Sequence, residues 1–81
     1  MNRVILLGTN ICPKCQMVKD FLDKENIEYK YLNAMEDGNN IKYKIMSVPV
    51  AIIEDENGIE IDRAVNKEDS LIKLIKQYIK V

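Results

Sequence analysis

The run Cys12-Pro13-Lys14-Cys15 is where this sequence can do chemistry. Cysteines three positions apart lie on one side of a helical turn, so a disulfide between them is sterically feasible. Pro13 suits the first position of a helix, where its missing N–H is not needed. Cys12 therefore falls at or just before a helix N-terminus. Unpaired backbone N–H groups and the helix dipole stabilise a thiolate there. Such placement lowers a thiol pKa from about 8.5 into the range of roughly 3.5–7.5, and the charge of Lys14 pushes the same way. Cys12 reads as the attacking thiolate. Cys15, one turn inside the helix, reads as the resolving thiol that closes a disulfide and releases the partner.

Other readings of the pair stay open on spacing alone. A CxxC can be half of a zinc site, but the chain has no His and no further Cys. The remaining ligands would have to be carboxylates or come from a second chain. An iron–sulfur cluster bridging two chains is a further reading, as is a pair of ordinary helix cysteines. The rival from a different functional class is thus a dimeric metal or iron–sulfur cluster carrier. The lack of His also removes a His-based triad and imidazole acid–base chemistry.

The chain has 81 residues, which reads as a single domain over 1–81 with a modest core, since so short a chain buries only about 60% of its unfolded surface. Twelve Lys plus Arg against thirteen Asp plus Glu leave a net charge of −1. Such a balance has no broad electrostatic claim on nucleic acid or on anionic membranes. The apolar run Val4–Leu7 after Met-Asn-Arg is too short for a signal h-region. No run approaches the roughly 18–20 apolar residues that span a bilayer. The expected location is cytoplasmic, where paired cysteines are catalytic, redox-active or metal-binding rather than a permanent staple.

The elements that would position the cysteines follow from hydropathy. Val4-Ile5-Leu6-Leu7, ended by Gly8, reads as a central strand buried on both faces. From Pro13 to about Glu25, Met17, Val18, Phe21 and Leu22 fall at helical spacing. Ile27–Leu32 alternates, which predicts a strand near an edge. Asn33–Asn40 reads as a loop and Ile41–Met46 as a short helix, broken by Ser47-Val48-Pro49. Val50–Ile53 is a second buried strand. Asn57-Gly58 signals a hairpin into the alternating edge strand Ile59–Asp62. The last helix has Asn66 as N-cap, Leu71, Ile72, Leu74, Ile75, Tyr78 and Ile79 on its apolar face, and Lys76 and Lys80 in its last turn. The order βαβ-α-ββα predicts an α/β fold: a four-stranded mixed sheet with residues 4–7 and 50–53 in the middle and helices on both faces.

That order, the CPxC motif after the first strand and Val48-Pro49 before the third resemble glutaredoxin and the wider thioredoxin-fold superfamily along essentially the whole chain. Glutaredoxins typically carry Cys-Pro-Tyr-Cys and Thr-Val-Pro, against Cys12-Pro13-Lys14-Cys15 and Ser47-Val48-Pro49 here. The resemblance implies a minimal thioredoxin fold and a dithiol–disulfide oxidoreductase, with Pro13 and Lys14 supporting the cysteines. It implies a cis bond before Pro49, facing the CxxC, with the Val48 backbone free to pair with an extended substrate. It also implies protein disulfide substrates, no bound cofactor, a monomer, and electrons from glutathione or from a thioredoxin-reductase-type enzyme.

Some positions depart from the glutathione-binding pattern. Thr9 stands where a Lys is usual, Lys14 where an aromatic is usual, and Arg63–Asp69 lacks a Gly pair. These departures predict a weak response to glutathione. Met17, Met35 and Met46 read as core filler or loop residues, Lys42 and Lys44 as a solvated face, and Tyr29, Tyr31, Tyr43 and Tyr78 as packing.

Overall fold

Two unbroken apolar runs form the centre of the sheet in the computed structural model, which describes residues 2–79. The element order is β1 (Arg3–Gly8), α1 (Pro13–Lys24), β2 (Tyr29–Asn33), α2 (Asn39–Lys42), β3 (Val50–Glu54), β4 (Glu60–Val65) and α3 (Glu68–Tyr78). The strands lie in the order β2-β1-β3-β4. β1 runs parallel to β2 and antiparallel to β3, and β3 is antiparallel to β4. The apolar runs have no polar side, so they take the two inner places, and the alternating strands take the edges.

Period-two alternation splits the core into two layers. On one face Val4, Leu6, Ala51 and Ile53 pack with Val18 and Leu22 of α1 and with Leu71, Leu74 and Ile75 of α3. On the other, Ile5, Leu7, Val50 and Ile52 are covered by Ala34 and Ile45, with Leu32, Tyr43 and Val48 packed alongside. Both faces of the sheet are therefore dry, as its central strands require.

Left-handed backbone positions set several element ends. Asn26 has φ 55° just past α1, and Ile27 and Asn26 donate back to the carbonyls of Leu22 at 2.9 Å and Asp23 at 3.2 Å, a pairing that closes a helix C-terminus. The short helix starts earlier than the expected 41–46: α2 follows Gly38 at φ 69° and ends before Lys44 at φ 54°. Met46 is consequently outside it and fully exposed, while Ile45 is buried and Ile41 exposed. Met17 is exposed on α1 rather than core filler. Asp55 Oδ1 accepts the N–H groups of Asn57 and Ile59, at 2.8 and 3.0 Å. That folds the β3–β4 connection into a loop longer than a two-residue turn, and β4 begins at Glu60.

Asn66 is not the N-cap of α3. Lys67 holds that place, without a side-chain cap. Asn66 instead lies at φ 69°, and its N–H donates to the Pro49 carbonyl at 2.7 Å. The first turn of α3 carries Glu68 and Asp69, and Lys76 lies in its last turn. Lys80 lies outside the described residues.

Candidate active site

Strand β1 delivers the chain through Thr9–Ile11 to the head of α1. Cys12 is the N-cap of that helix in extended conformation, with Pro13 at its start. Its N–H donates to the Thr9 carbonyl at 3.4 Å and its carbonyl accepts from Gln16 at 3.2 Å. The Cys12 sulfur accepts the backbone N–H of Cys15 at 3.2 Å, so an orphan N–H of the first turn is aimed at the atom where a thiolate charge would sit. A disulfide joins Cys12 to Cys15 across a Cα–Cα distance of 5.2 Å. Cys12 is half-buried, whereas Cys15 is 1% exposed.

Cys15 is tucked against bare backbone. A Cβ placed on Gly8 would lie 2.6 Å from the Cys15 sulfur, 2.9 Å from its Cβ and 3.1 Å from the Tyr31 hydroxyl. A glycine inside a strand often marks such a close approach, and Gly8 at the end of β1 is the sequence signal of this one. Tyr31 does more than pack. Its hydroxyl donates to the Thr9 carbonyl at 3.3 Å, and Lys19 Nζ lies 4.4 Å from its ring centroid. Burial pushes the Tyr31 hydroxyl pKa up. Thr9, Cys12, Cys15, Gln16, Lys19 and Tyr31 are among the residues lining a cavity of about 400 Å³.

The remaining predicted site residues are Val48, Pro49 and Lys14. The Val48–Pro49 bond is cis. Pro49 is fully buried, and it precedes Val50, the partner of Leu7 in the sheet. Val48 lines a smaller cavity of about 180 Å³ with Thr9, Ala34, Ile45 and Met46. Among the described residues, neither the N–H nor the C=O of Val48 has a hydrogen-bond partner. Lys14 is exposed, and its ammonium donates to the Asn66 carbonyl at 3.4 Å. Asn66 thus ties the CxxC dipeptide to the Pro49 carbonyl through its own C=O and N–H.

Metal binding gains no support from this arrangement. The two sulfurs are bonded to each other. Among the described residues, no group of three or more Cys, Asp or Glu side chains is placed to hold an ion.

The comparisons agree with the geometry. Residues 1–76 match the family model described as thioredoxin domain. The thioredoxin-like protein YosR of Bacillus subtilis (strain 168), derived from the SPbeta prophage, is 30% identical over 77 residues, or 93% of this chain and 96% of the relative. Among solved structures, Chlamydomonas reinhardtii thioredoxin f2 superposes with a TM-score of 0.76 at 19% identity, over 99% of this chain and 81% of the other. Thioredoxin 1 of Thermosipho africanus superposes at 0.70 and 18% identity, over 96% and 94%. The fold predicted from element order is therefore the fold observed, the carrier reading gains no support, and the chain belongs to the thioredoxin-domain family as a thiol–disulfide oxidoreductase.

Proposed function

We propose that Cys12 is the attacking thiolate, that Cys15 resolves, and that the partners are protein disulfides. The observation that carries this reading is the asymmetry of the pair. Cys12 is half-buried and accepts a helix N–H on its sulfur, while Cys15 is buried behind Gly8. A substrate disulfide can meet only the first sulfur without rearrangement. Cys12 thiolate attacks one substrate sulfur, the other leaves as a thiolate and takes a proton from solvent. Cys15 thiolate then attacks the Cys12 sulfur, which releases the second substrate thiolate and leaves the Cys12–Cys15 disulfide. Two electrons pass from the protein to the substrate. Lys14 and Pro13 support the site, and Val48 offers its unpaired backbone groups to an extended substrate segment.

A protein substrate is favoured by the exposed apolar side chains of Ile11, 91% exposed, and Met46, fully exposed. Ile11 stands next to Cys12, and Met46 lines the cavity beside Val48. The chain acts in this reading as a single domain over 1–81 and as a cytoplasmic monomer, with a reductase rather than glutathione as its electron donor. No helix among the described residues is long and apolar enough to cross a membrane.

The test is trapping. Cys15→Ser incubated with a disulfide-bonded protein accumulates a mixed disulfide through Cys12, seen as a mass adduct that a thiol reductant removes. Cys12→Ser accumulates none and reduces nothing. An adduct forming through Cys15 in the Cys12→Ser protein, with none in Cys15→Ser, would reverse the assignment.

A further inference from the structure

The cavity beneath the CxxC contains no carboxylate among its lining residues, and the charged side chains facing it come from one element. Lys19 of α1 sits over the Tyr31 ring at 4.4 Å. Lys14, also on α1, is turned toward Asn66. On this face of the sheet β1 and β3 bring only apolar side chains, Val4, Leu6, Ala51 and Ile53. Asp20 and Asp23 of α1 act on Tyr29, the other tyrosine of β2, and Asp23 accepts the Tyr29 hydroxyl at 3.1 Å. The titratable hydroxyl near the buried sulfur is therefore that of Tyr31. It and the Cys15 sulfur flank the same bare point on Gly8, at 3.1 and 2.6 Å.

A buried thiol has difficulty ionising, because the thiolate loses hydration that the protein must replace. Yet the second step of the proposed reaction needs Cys15 as a thiolate. We infer that the Tyr31 hydroxyl supplies the missing hydrogen bond: once the disulfide opens, it turns from the Thr9 carbonyl to the Cys15 sulfur and favours the thiolate form. This inference rests on the assignment of Cys15 as the resolving thiol. Opening the disulfide frees the Cys15 sulfur to rotate about its Cα–Cβ bond. The Thr9 carbonyl that the hydroxyl leaves also accepts the Cys12 N–H, so it is not orphaned. Tyr31 keeps its proton throughout. Burial holds the hydroxyl protonated at neutral pH, so it acts as a donor and not as a base. The proton lost from Cys15 leaves through the cavity to solvent, and the released substrate thiolate takes one up. Tyr31 thus acts in the second step, on the reacting Cys15 sulfur itself.

The experiment uses the full reduced chain with 5,5′-dithiobis(2-nitrobenzoate), whose two coloured thiolates report the two steps separately. Cys12 attack releases the first and Cys15 attack the second. Tyr31→Phe is expected to slow the second phase relative to the first by about tenfold or more near neutral pH, and to move the pH midpoint of the second phase up by about one unit. Identical second-phase pH profiles in Tyr31→Phe and the native chain would overturn the inference while leaving the dithiol reaction intact. A first phase that survives Cys12→Ser and disappears in Cys15→Ser would overturn the assignment of roles and the inference with it. A measurement on the native chain covers the case in which Tyr31→Phe fails to fold. Carbon-13 spectra of the reduced protein should show the Tyr31 Cζ signal moving with the same midpoint as the Cys15 Cβ signal. A Tyr31 signal indifferent to Cys15 ionisation would overturn the inference equally.

Discussion

The backbone N–H of Asn66 donates to the carbonyl of Pro49 at 2.7 Å, one step beyond the Val50–Val65 pair of the sheet, and Asn66 then takes a left-handed φ of 69°. The turn between β4 and α3 is thereby pinned to the loop that enters β3. The Asn66 carbonyl, left pointing the other way, takes the Lys14 ammonium at 3.4 Å. One residue with an unusual backbone conformation thus joins three segments around the disulfide.

Asn tolerates that conformation and a β-branched residue does not. Asn66→Val should cost about 1–2 kcal/mol, and a chain this short loses roughly 4–8 °C in Tm for each kcal/mol. Asn66→Gly keeps the turn without strain and should melt within a few degrees of the native chain. Thermal melts of the two variants check this. Equal Tm values for the valine and glycine variants would mean that the left-handed turn does not hold the loop.

Gly8→Ala tests the seat of Cys15. The new methyl would come within 2.6 Å of the sulfur and 2.9 Å of the Cys15 Cβ, so backbone or helix must move. Overpacking of this kind costs about 1–3 kcal/mol. Gly38→Ala is the contrast, since nothing lies within 4 Å of its added Cβ and only its φ of 69° resists substitution. Both variants should lose stability. Only Gly8→Ala should also change the equilibrium with a dithiol redox buffer, read from the thiol-to-disulfide ratio by alkylation and mass spectrometry. A native-like redox equilibrium in Gly8→Ala would detach Gly8 from the site.

Alkaline pH should destabilise the fold through its tyrosines. The Tyr31 hydroxyl is raised by burial, Tyr29 by burial and its bond to Asp23, and Tyr78 by its bond to Asp62. A raised pKa means that the native state holds the proton more tightly than the unfolded chain. The stabilisation is complete below the unfolded value of about 10 and is lost as pH rises through the folded values. Tm measured from pH 8 to 11 should fall above pH 10, and Tyr29→Phe, which removes one titrating group, should flatten that fall. An identical slope in Tyr29→Phe would show that Tyr29 takes no part in the loss.

The strands and main helices were legible because each states its surroundings locally. Val4–Leu7 and Val50–Ile53 have no polar side, so they could only be central, and Pro13 with the spacing of Val18 and Leu22 marked the head and face of α1. What escaped depends on contacts across the fold. Asn66 reads as a helix cap because Asn caps helices, and its partner Pro49 lies 17 residues earlier in the chain. The bounds of α2 turned on left-handed positions at Gly38 and Lys44, and Lys carries no sign of such a choice. Gly8 and Tyr31 joined the site only when the sheet set β2 beside β1, with Leu6 opposite Tyr31. The cysteines needed no such information, since their chemistry is set by three residues of spacing and one helix end.

A preference for a reductase over glutathione is the expected outcome of groups that are already occupied or missing. Glutathione offers two carboxylates, which glutaredoxin-like sites meet with a basic residue before the first cysteine and with a glycine-rich turn before the last helix. Thr9 stands at the first place. At the second, the Asn66 N–H is taken by the Pro49 carbonyl at 2.7 Å, and Glu68 and Asp69 in the first turn of α3 repel an anion. A charged hydrogen bond contributes about 1.5–3 kcal/mol, so two absent ones weaken binding by roughly a hundredfold or more. Lys14 supplies a cation, but it is drawn toward the Asn66 carbonyl. On one disulfide substrate, with NADPH consumption as the readout, a thioredoxin-reductase-type enzyme should sustain turnover and a glutathione-coupled system should not. Replacing Thr9 by Lys should raise the glutathione-coupled rate and leave the reductase-coupled rate nearly unchanged. Efficient glutathione turnover by the native chain, with no response to the reductase, would instead make it a glutaredoxin with an altered carboxylate site.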